Sequence, residues 1–177
     1  IVLGLFLAGI SIEWFNGVQA LPSLNYPSNI IFGMSYISIL VLVYLFFRKS
    51  KWVNFMKSIP AAITSICFFG WNALIMGLFL QDAQAEGWTA QLSLHQVISS
   101  WFYFLSSIYL LSALGFLIID KLYHFQIKDL GIFVSHLGLW LVIFSASLGS
   151  SEVTRLEMDL HEGRMSFIAT DRSTGEV

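Results

Sequence analysis

The sequence predicts an all-α integral membrane protein, with about five apolar helical spans followed by the start of an extracytoplasmic domain. Hydrophobic residues make up 56% of the chain and charged residues only 11%, and the mean hydropathy is +0.75. This composition excludes an ordinary soluble domain, so lipid must surround most of the chain. Unpaired backbone amides are costly in hydrocarbon, and continuous apolar runs therefore indicate helices rather than strands.

The first apolar run, residues 1–15, is shorter than the roughly 20 residues that a helix needs to cross a bilayer. Because the run has no initiating Met, we interpret it as the truncated end of a span in a piece of a longer protein. The alternative is the core of a signal peptide. No charged segment precedes the run, and Glu13 and Trp14 give a poor cleavage context.

Four further apolar segments are long enough to span a membrane. They cover residues 29–47, 59–80, 98–119 and 130–149. Pro60 falls in the first turn of the second segment, where its missing N–H costs nothing. Residues 1–150 therefore form a transmembrane region.

Basic residues mark alternate connections between these segments. The loops 48–57 and 121–128 hold six of the nine Lys and Arg, whereas the connections 16–28 and 81–97 hold none. The positive-inside rule makes both basic loops cytoplasmic and places residues 151–177 outside. Apolar residues recur at roughly every second position of this tail, at Val153, Leu156, Met158 and Leu160, which predicts the opening strand of a β-rich extracytoplasmic domain.

An ionisable side chain inside a span is expensive and points to function, which singles out His136. On an ideal helix its neighbours are apolar or aromatic: Ile132, Phe133, Leu139, Trp140 and Ile143. A neutral imidazole beside flat apolar surface suits an axial ligand of haem iron. His136 is therefore the candidate metal ligand, and Trp140 is a second candidate contact for haem. The alternative for His136 is a hydrogen bond to a neighbouring helix.

Other polar positions have weaker functional signals. His95 and His124 are expected at the two membrane interfaces, although His124 and His136 together could form a bis-His haem site across the cytoplasmic turn. His161 is assigned no role, and Asn72 is expected to bond to another helix. One stripe on the last span consists of small residues that would admit another helix: Gly131, Ser135, Gly138, Ser145 and Gly149.

Several function classes have no support in the sequence. The chain contains no P-loop, GxGxxG, CxxCH, HExxH or GxSxG motif, so hydrolase and nucleotide-binding functions are not indicated. It also lacks a basic aromatic surface for nucleic acid. The single Cys67 excludes a disulfide within these residues.

The order of motifs in residues 70–165 resembles a known family. A span ends near Leu80, the run Ser99-Ser100-Trp101-Phe102 opens the next one, and a basic turn follows. After the turn come the segment from Gly131 to Trp140 and the sequence Leu160-His-Glu-Gly163. Together they resemble the ResB/CcsB-like half of the system II cytochrome c biogenesis machinery, including the fused CcsBA-type proteins.

The resemblance implies a haem-handling function in the bacterial inner membrane. His136 corresponds by position to the family's intramembrane haem ligand. A b-type haem would be carried to the outer face and presented to apocytochrome c, together with a CcsA/ResC-like half that brings the second ligand. The complete assembly would act as a cytochrome c synthetase, whereas this segment alone supplies no catalytic residue.

Two other hypotheses come from different function classes. The chain could be an electron-transfer subunit that binds haem b or a quinone, or a structural membrane anchor without a cofactor. The two spans before residue 50 precede the part that resembles the family and receive no role from it.

Overall fold

The computed structural model describes residues 2–16, 26–79, 94 and 97–149, and the backbone of 156–157 and 170–171. Within these residues the chain forms six α-helices, which we number in order. They are α1 (Val2–Asn16), α2 (Ser28–Phe47), α3 (Lys51–Met56), α4 (Ile59–Leu78), α5 (Trp101–Tyr123) and α6 (Leu130–Gly149). Two 3₁₀ turns, Val97–Ser99 and Ile127–Asp129, precede α5 and α6.

The helices confirm the predicted membrane protein. Four of them, α2, α4, α5 and α6, are long and apolar enough to cross a membrane. The first helix, α1, has 15 residues and is shorter than a span, as its sequence predicts.

The third long helix, α5, differs in its bounds from the predicted segment 98–119. It begins at Trp101 because Ser100 caps it, with the Ser100 hydroxyl accepting a hydrogen bond from the Tyr103 backbone N–H at 3.3 Å. It continues to Tyr123 because both charged residues in its last turns have partners. Asp120 pairs with Lys57, and Lys121 pairs with Asp129 on the turn before α6.

Helix α5 is the centre of the bundle. In its most apolar stretch 61% of residues are buried, compared with 6% in the stretch that contains α6. Helices α1, α2, α3, α4 and α6 all pack against it. The largest buried cluster joins α5 to α2, α3 and α6 through Tyr109, Leu110, Leu111, Ala113, Leu114, Phe116, Leu40, Tyr44, Val53, Met56 and Trp140.

Two glycines allow helices to approach closely. A Cβ added at Gly9 of α1 would lie 2.8 Å from the Cα of Phe102. A Cβ added at Gly115 of α5 would lie 3.0 Å from Leu40 Cδ1 and 3.4 Å from Trp140 Nε1. Helices in lipid lack a hydrophobic driving force for association and depend on close packing instead. Small residues at the crossings allow that packing.

The basic connection 48–57 contains a short helix, α3, that the apolar pattern does not predict. The Ser50 hydroxyl caps it by accepting a hydrogen bond from the Val53 N–H at 3.2 Å. Val53 and Met56 are buried against the bundle.

In the tail, Leu156–Glu157 pairs antiparallel with Thr170–Asp171. The first of these segments falls inside the stretch expected to form a strand, while the β-rich domain stays a prediction. His95 and His161 lie outside the described residues.

Candidate functional site

His136 lies on α6, six residues after the helix begins, which corresponds to roughly 9 Å along the axis at about 1.5 Å per residue. Its Nδ1 is 2.7 Å from the carbonyl oxygen of Ile132, one turn earlier on the same helix. A carbonyl can only accept, so Nδ1 carries a proton, and in the neutral imidazole Nε2 then has the lone pair. Within the described ranges Nε2 makes no hydrogen bond, because the only other polar contact is from Nδ1 to the Ser135 hydroxyl at 3.4 Å.

This arrangement differs from the alternative expectation for His136. A bond to a neighbouring helix would occupy the imidazole between helices, whereas the observed bond stays within α6. The ring is therefore oriented by its own helix, and one nitrogen remains available.

The surroundings of His136 are apolar and open on one side. Ile132 and Leu139, its neighbours on α6, are 49% and 46% exposed, and Ile143 is half-buried. A flat apolar ligand can thus approach this side of α6 from outside the bundle.

These residues fit one axial ligand of a haem, because a neutral nitrogen donor with a fixed tautomer lies beside apolar surface. They do not supply a whole metal site. In the described part of the chain no three His, Cys, Asp or Glu residues come together. A haem held by His136 would need its second axial ligand from outside these residues.

Trp140, the second candidate haem contact, is buried in the bundle. Its indole Nε1 donates a hydrogen bond to the Leu111 carbonyl on α5 at 2.9 Å. Its ring stacks on Phe144, with centroids 4.4 Å apart and planes 20° from parallel. Since Trp140 follows His136 by one helical turn, this contact fixes the rotation of α6 and hence the direction of the imidazole. A direct contact between Trp140 and haem stays a prediction.

His124 has a different setting from His136. It directly follows α5, and its Nδ1 lies 3.1 Å from the Asp120 carbonyl and 3.9 Å from the Asp120 carboxylate. Its side chain is 65% exposed and meets the Tyr123 ring edge-on. No hydrogen bond, ion pair or ring contact joins it to His136, and both residues lie in the described part. The bis-His site also stays a prediction.

A charged cluster at the same end of the bundle was missed by the sequence reasoning. One oxygen of Asp120 accepts hydrogen bonds from Lys57 Nζ at 2.7 Å and from Tyr44 Oη at 2.8 Å. The Arg48 guanidinium lies 4.8 Å above the Tyr123 ring. We call Tyr44, Lys57 and Asp120 the Asp120 cluster. The one signal in the sequence was Asp120, which directly follows the predicted segment 98–119, but an acidic residue in that place also suits an ordinary turn.

Polar pairs also link α5 to its neighbours within the long apolar helices. Ser106 accepts from the Asn72 amide at 2.7 Å, which confirms the interhelical bond expected for Asn72. Tyr109 pairs with Thr64 on α4 at 2.8 Å, and Ser112 pairs with Tyr36 on α2 at 2.9 Å. These bonds pair polar groups that lipid cannot satisfy, and they connect α5 to α2 and α4. None of them involves the His136 side of α6.

No family model, curated protein or solved structure matches this chain.

Proposed function

We propose that this chain is the membrane part of a ResB/CcsB-like cytochrome c biogenesis protein, and that His136 supplies one axial ligand to haem through Nε2. The observation that carries the proposal is the 2.7 Å bond from His136 Nδ1 to the Ile132 carbonyl. Histidines that bind metals almost always donate their other ring N–H in this way, which fixes the tautomer and makes the ligating nitrogen more basic.

The neighbouring residues would each contribute to holding such a ligand. The Ile132 carbonyl orients the ring, while the apolar side chains of Ile132 and Leu139 keep water away from Nε2. Trp140 holds α6 against Leu111 on α5, so the imidazole keeps its direction. When bound, haem would supply the iron to which Nε2 coordinates and the porphyrin that is delivered to an apocytochrome c.

The partner in this proposal is a CcsA/ResC-like half, fused or separate. It would cover the open apolar side of α6 and bring the second ligand, because the described residues of this chain offer only one candidate on that side. The basic loops 48–57 and 121–128 would face the cytoplasm. Residues 151–177 would begin a β-rich domain on the periplasmic side of a bacterial inner membrane, where haem is attached.

The test is the haem content of His136→Ala, purified in detergent with the CcsA/ResC-like half from haem-replete cells. We expect its Soret absorption to be lost or weakened, and added imidazole to restore it in part by replacing the missing nitrogen. Val134→Ala is the matched control, because Val134 is 55% exposed on another side of the same helix. Unchanged haem content and spectrum in His136→Ala would refute the ligand role.

The same preparation separates the two alternative functions. An electron-transfer subunit with a bis-His site would lose its haem equally in His124→Ala and His136→Ala, whereas we expect His124→Ala to retain it. A structural anchor would carry no haem in any variant, under reducing or oxidising conditions.

A further inference from the structure

One end of the bundle carries a large excess of positive charge. This end consists of the connection 48–57 and the turn between α5 and α6, which the Asp120 cluster holds together. Six Lys and Arg side chains there face only two carboxylates, Asp120 and Asp129. The sequence has no acidic residue at all between Glu13 and Asp82.

Internal contacts use half of these cations. Lys57 pairs with Asp120 at 2.7 Å, and Lys121 pairs with Asp129 at 3.3 Å. Arg48 lies over the Tyr123 ring. Both carboxylates at this end are then paired, and the remaining lysines have no carboxylate partner among the residues that the structure describes.

Two of the remaining lysines lie next to an exposed indole. Lys49 and Lys51 are exposed and have no partner in the described ranges. Trp52 follows at once and is 57% exposed, with one edge against Phe116 at 5.9 Å between ring centroids. Val53, the next residue of α3, is completely buried, so α3 packs along the bundle while Lys51 and part of the Trp52 indole remain exposed.

We propose that Lys49, Lys51 and Trp52 bind the headgroup of an anionic phospholipid. Charge complementarity selects an anion, since no carboxylate in the described part of the chain pairs with either ammonium group. A lipid is the favoured source of that anion because the site adjoins a span whose last residue, Phe47, is 58% exposed. Lysine together with interfacial tryptophan is typical of surfaces that hold anionic lipid at a bilayer. This proposal does not depend on haem binding.

The test uses the full 177-residue chain in detergent, titrated with phosphatidylglycerol or phosphatidylcholine and analysed by native mass spectrometry. We expect phosphatidylglycerol to be retained preferentially. Lys49→Gln and Lys51→Gln should each weaken its binding about fivefold, and phosphatidylcholine binding should not change. Lys49→Arg and Lys51→Arg should keep the binding because the charge remains.

Lys128→Gln is the matched control, since it removes one exposed charge from the other connection at this end. An equal loss of phosphatidylglycerol binding in Lys128→Gln would show that the lipid is attracted to the whole basic end, and would refute a site at Lys49, Lys51 and Trp52. Equal retention of both lipids would overturn it as well. Displacement of phosphatidylglycerol by equimolar inorganic phosphate would show that phosphate alone is recognised, and would overturn the lipid assignment. Circular dichroism of each variant checks that the helices are intact.

Discussion

Replacing Asp120 with Asn should loosen the contact of α5 with α2 and with the turn before α4. The carboxylate of Asp120 accepts from Lys57 Nζ at 2.7 Å and from Tyr44 Oη at 2.8 Å. Asparagine keeps the shape and one acceptor oxygen but removes the charge. The variant therefore isolates the ion pair from the hydrogen bond of Tyr44.

The exposure of the pair sets the size of the effect. The Lys57 and Asp120 side chains are 25% and 23% exposed, between the buried and the fully exposed cases. Exposed pairs contribute up to about 1 kcal/mol, and removing one partner of a buried pair costs about 3–5 kcal/mol. We therefore expect Asp120→Asn to lower the free energy of unfolding by about 2 kcal/mol. Asp120→Leu should cost a further ~1–3 kcal/mol, because Tyr44, which is 1% exposed, then loses its acceptor.

The assay is unfolding by sodium dodecyl sulfate from a mild detergent, with helix content followed by circular dichroism. A double-mutant cycle of Asp120→Asn with Lys57→Gln should give a coupling free energy of about 1 kcal/mol. Added salt should reduce the coupling, since the pair is partly exposed. A coupling below about 0.3 kcal/mol, within the range of independent sites, would refute the role of the pair.

Two further substitutions test the packing around α5. Gly9→Ala should destabilise the bundle by about 1–3 kcal/mol, because its Cβ would lie 2.8 Å from Phe102 Cα. Gly4→Ala on the same helix meets nothing and should be neutral or stabilising by up to about 1 kcal/mol, so equal effects in the same unfolding assay would contradict this contact. Trp140→Phe removes the 2.9 Å bond to the Leu111 carbonyl and should cost about 1 kcal/mol. Wild-type stability of Trp140→Phe would show that this bond does not hold α6 in place.

Composition and apolar run length were enough to predict the helical membrane fold. Each span is a local property of about 20 residues. Lipid offers no hydrogen bonds to the backbone, so an apolar segment satisfies its own backbone groups by forming a helix. The short helix α3 was not predicted because its signals, the Ser50 cap and two buried side chains, lie within a run of basic residues. The Asp120 cluster was not predicted because Lys57 is 63 residues away in sequence. A single sequence does not reveal such a pairing.

In the candidate site, too, local features could be predicted from the sequence and tertiary contacts could not. The helix that carries His136, and the position of His136 along that helix, follow from the apolar pattern. Its bond to the Ile132 carbonyl depends on a side-chain rotamer, which the pattern does not determine. Trp140 was predicted beside His136, but in the folded bundle its ring packs against Gly115 of α5. A Cβ added at Gly115 would lie 3.4 Å from Trp140 Nε1.

Ligation of haem iron by Nε2 of His136 is most directly tested by pulsed electron paramagnetic resonance of the ferric complex, with histidine labelled by ¹⁵N at Nε2. We expect a ¹⁵N coupling to the iron that disappears in His136→Ala and persists in His124→Ala. The same coupling in wild type and His136→Ala, or its appearance only when Nδ1 carries the label, would contradict the proposed ligand.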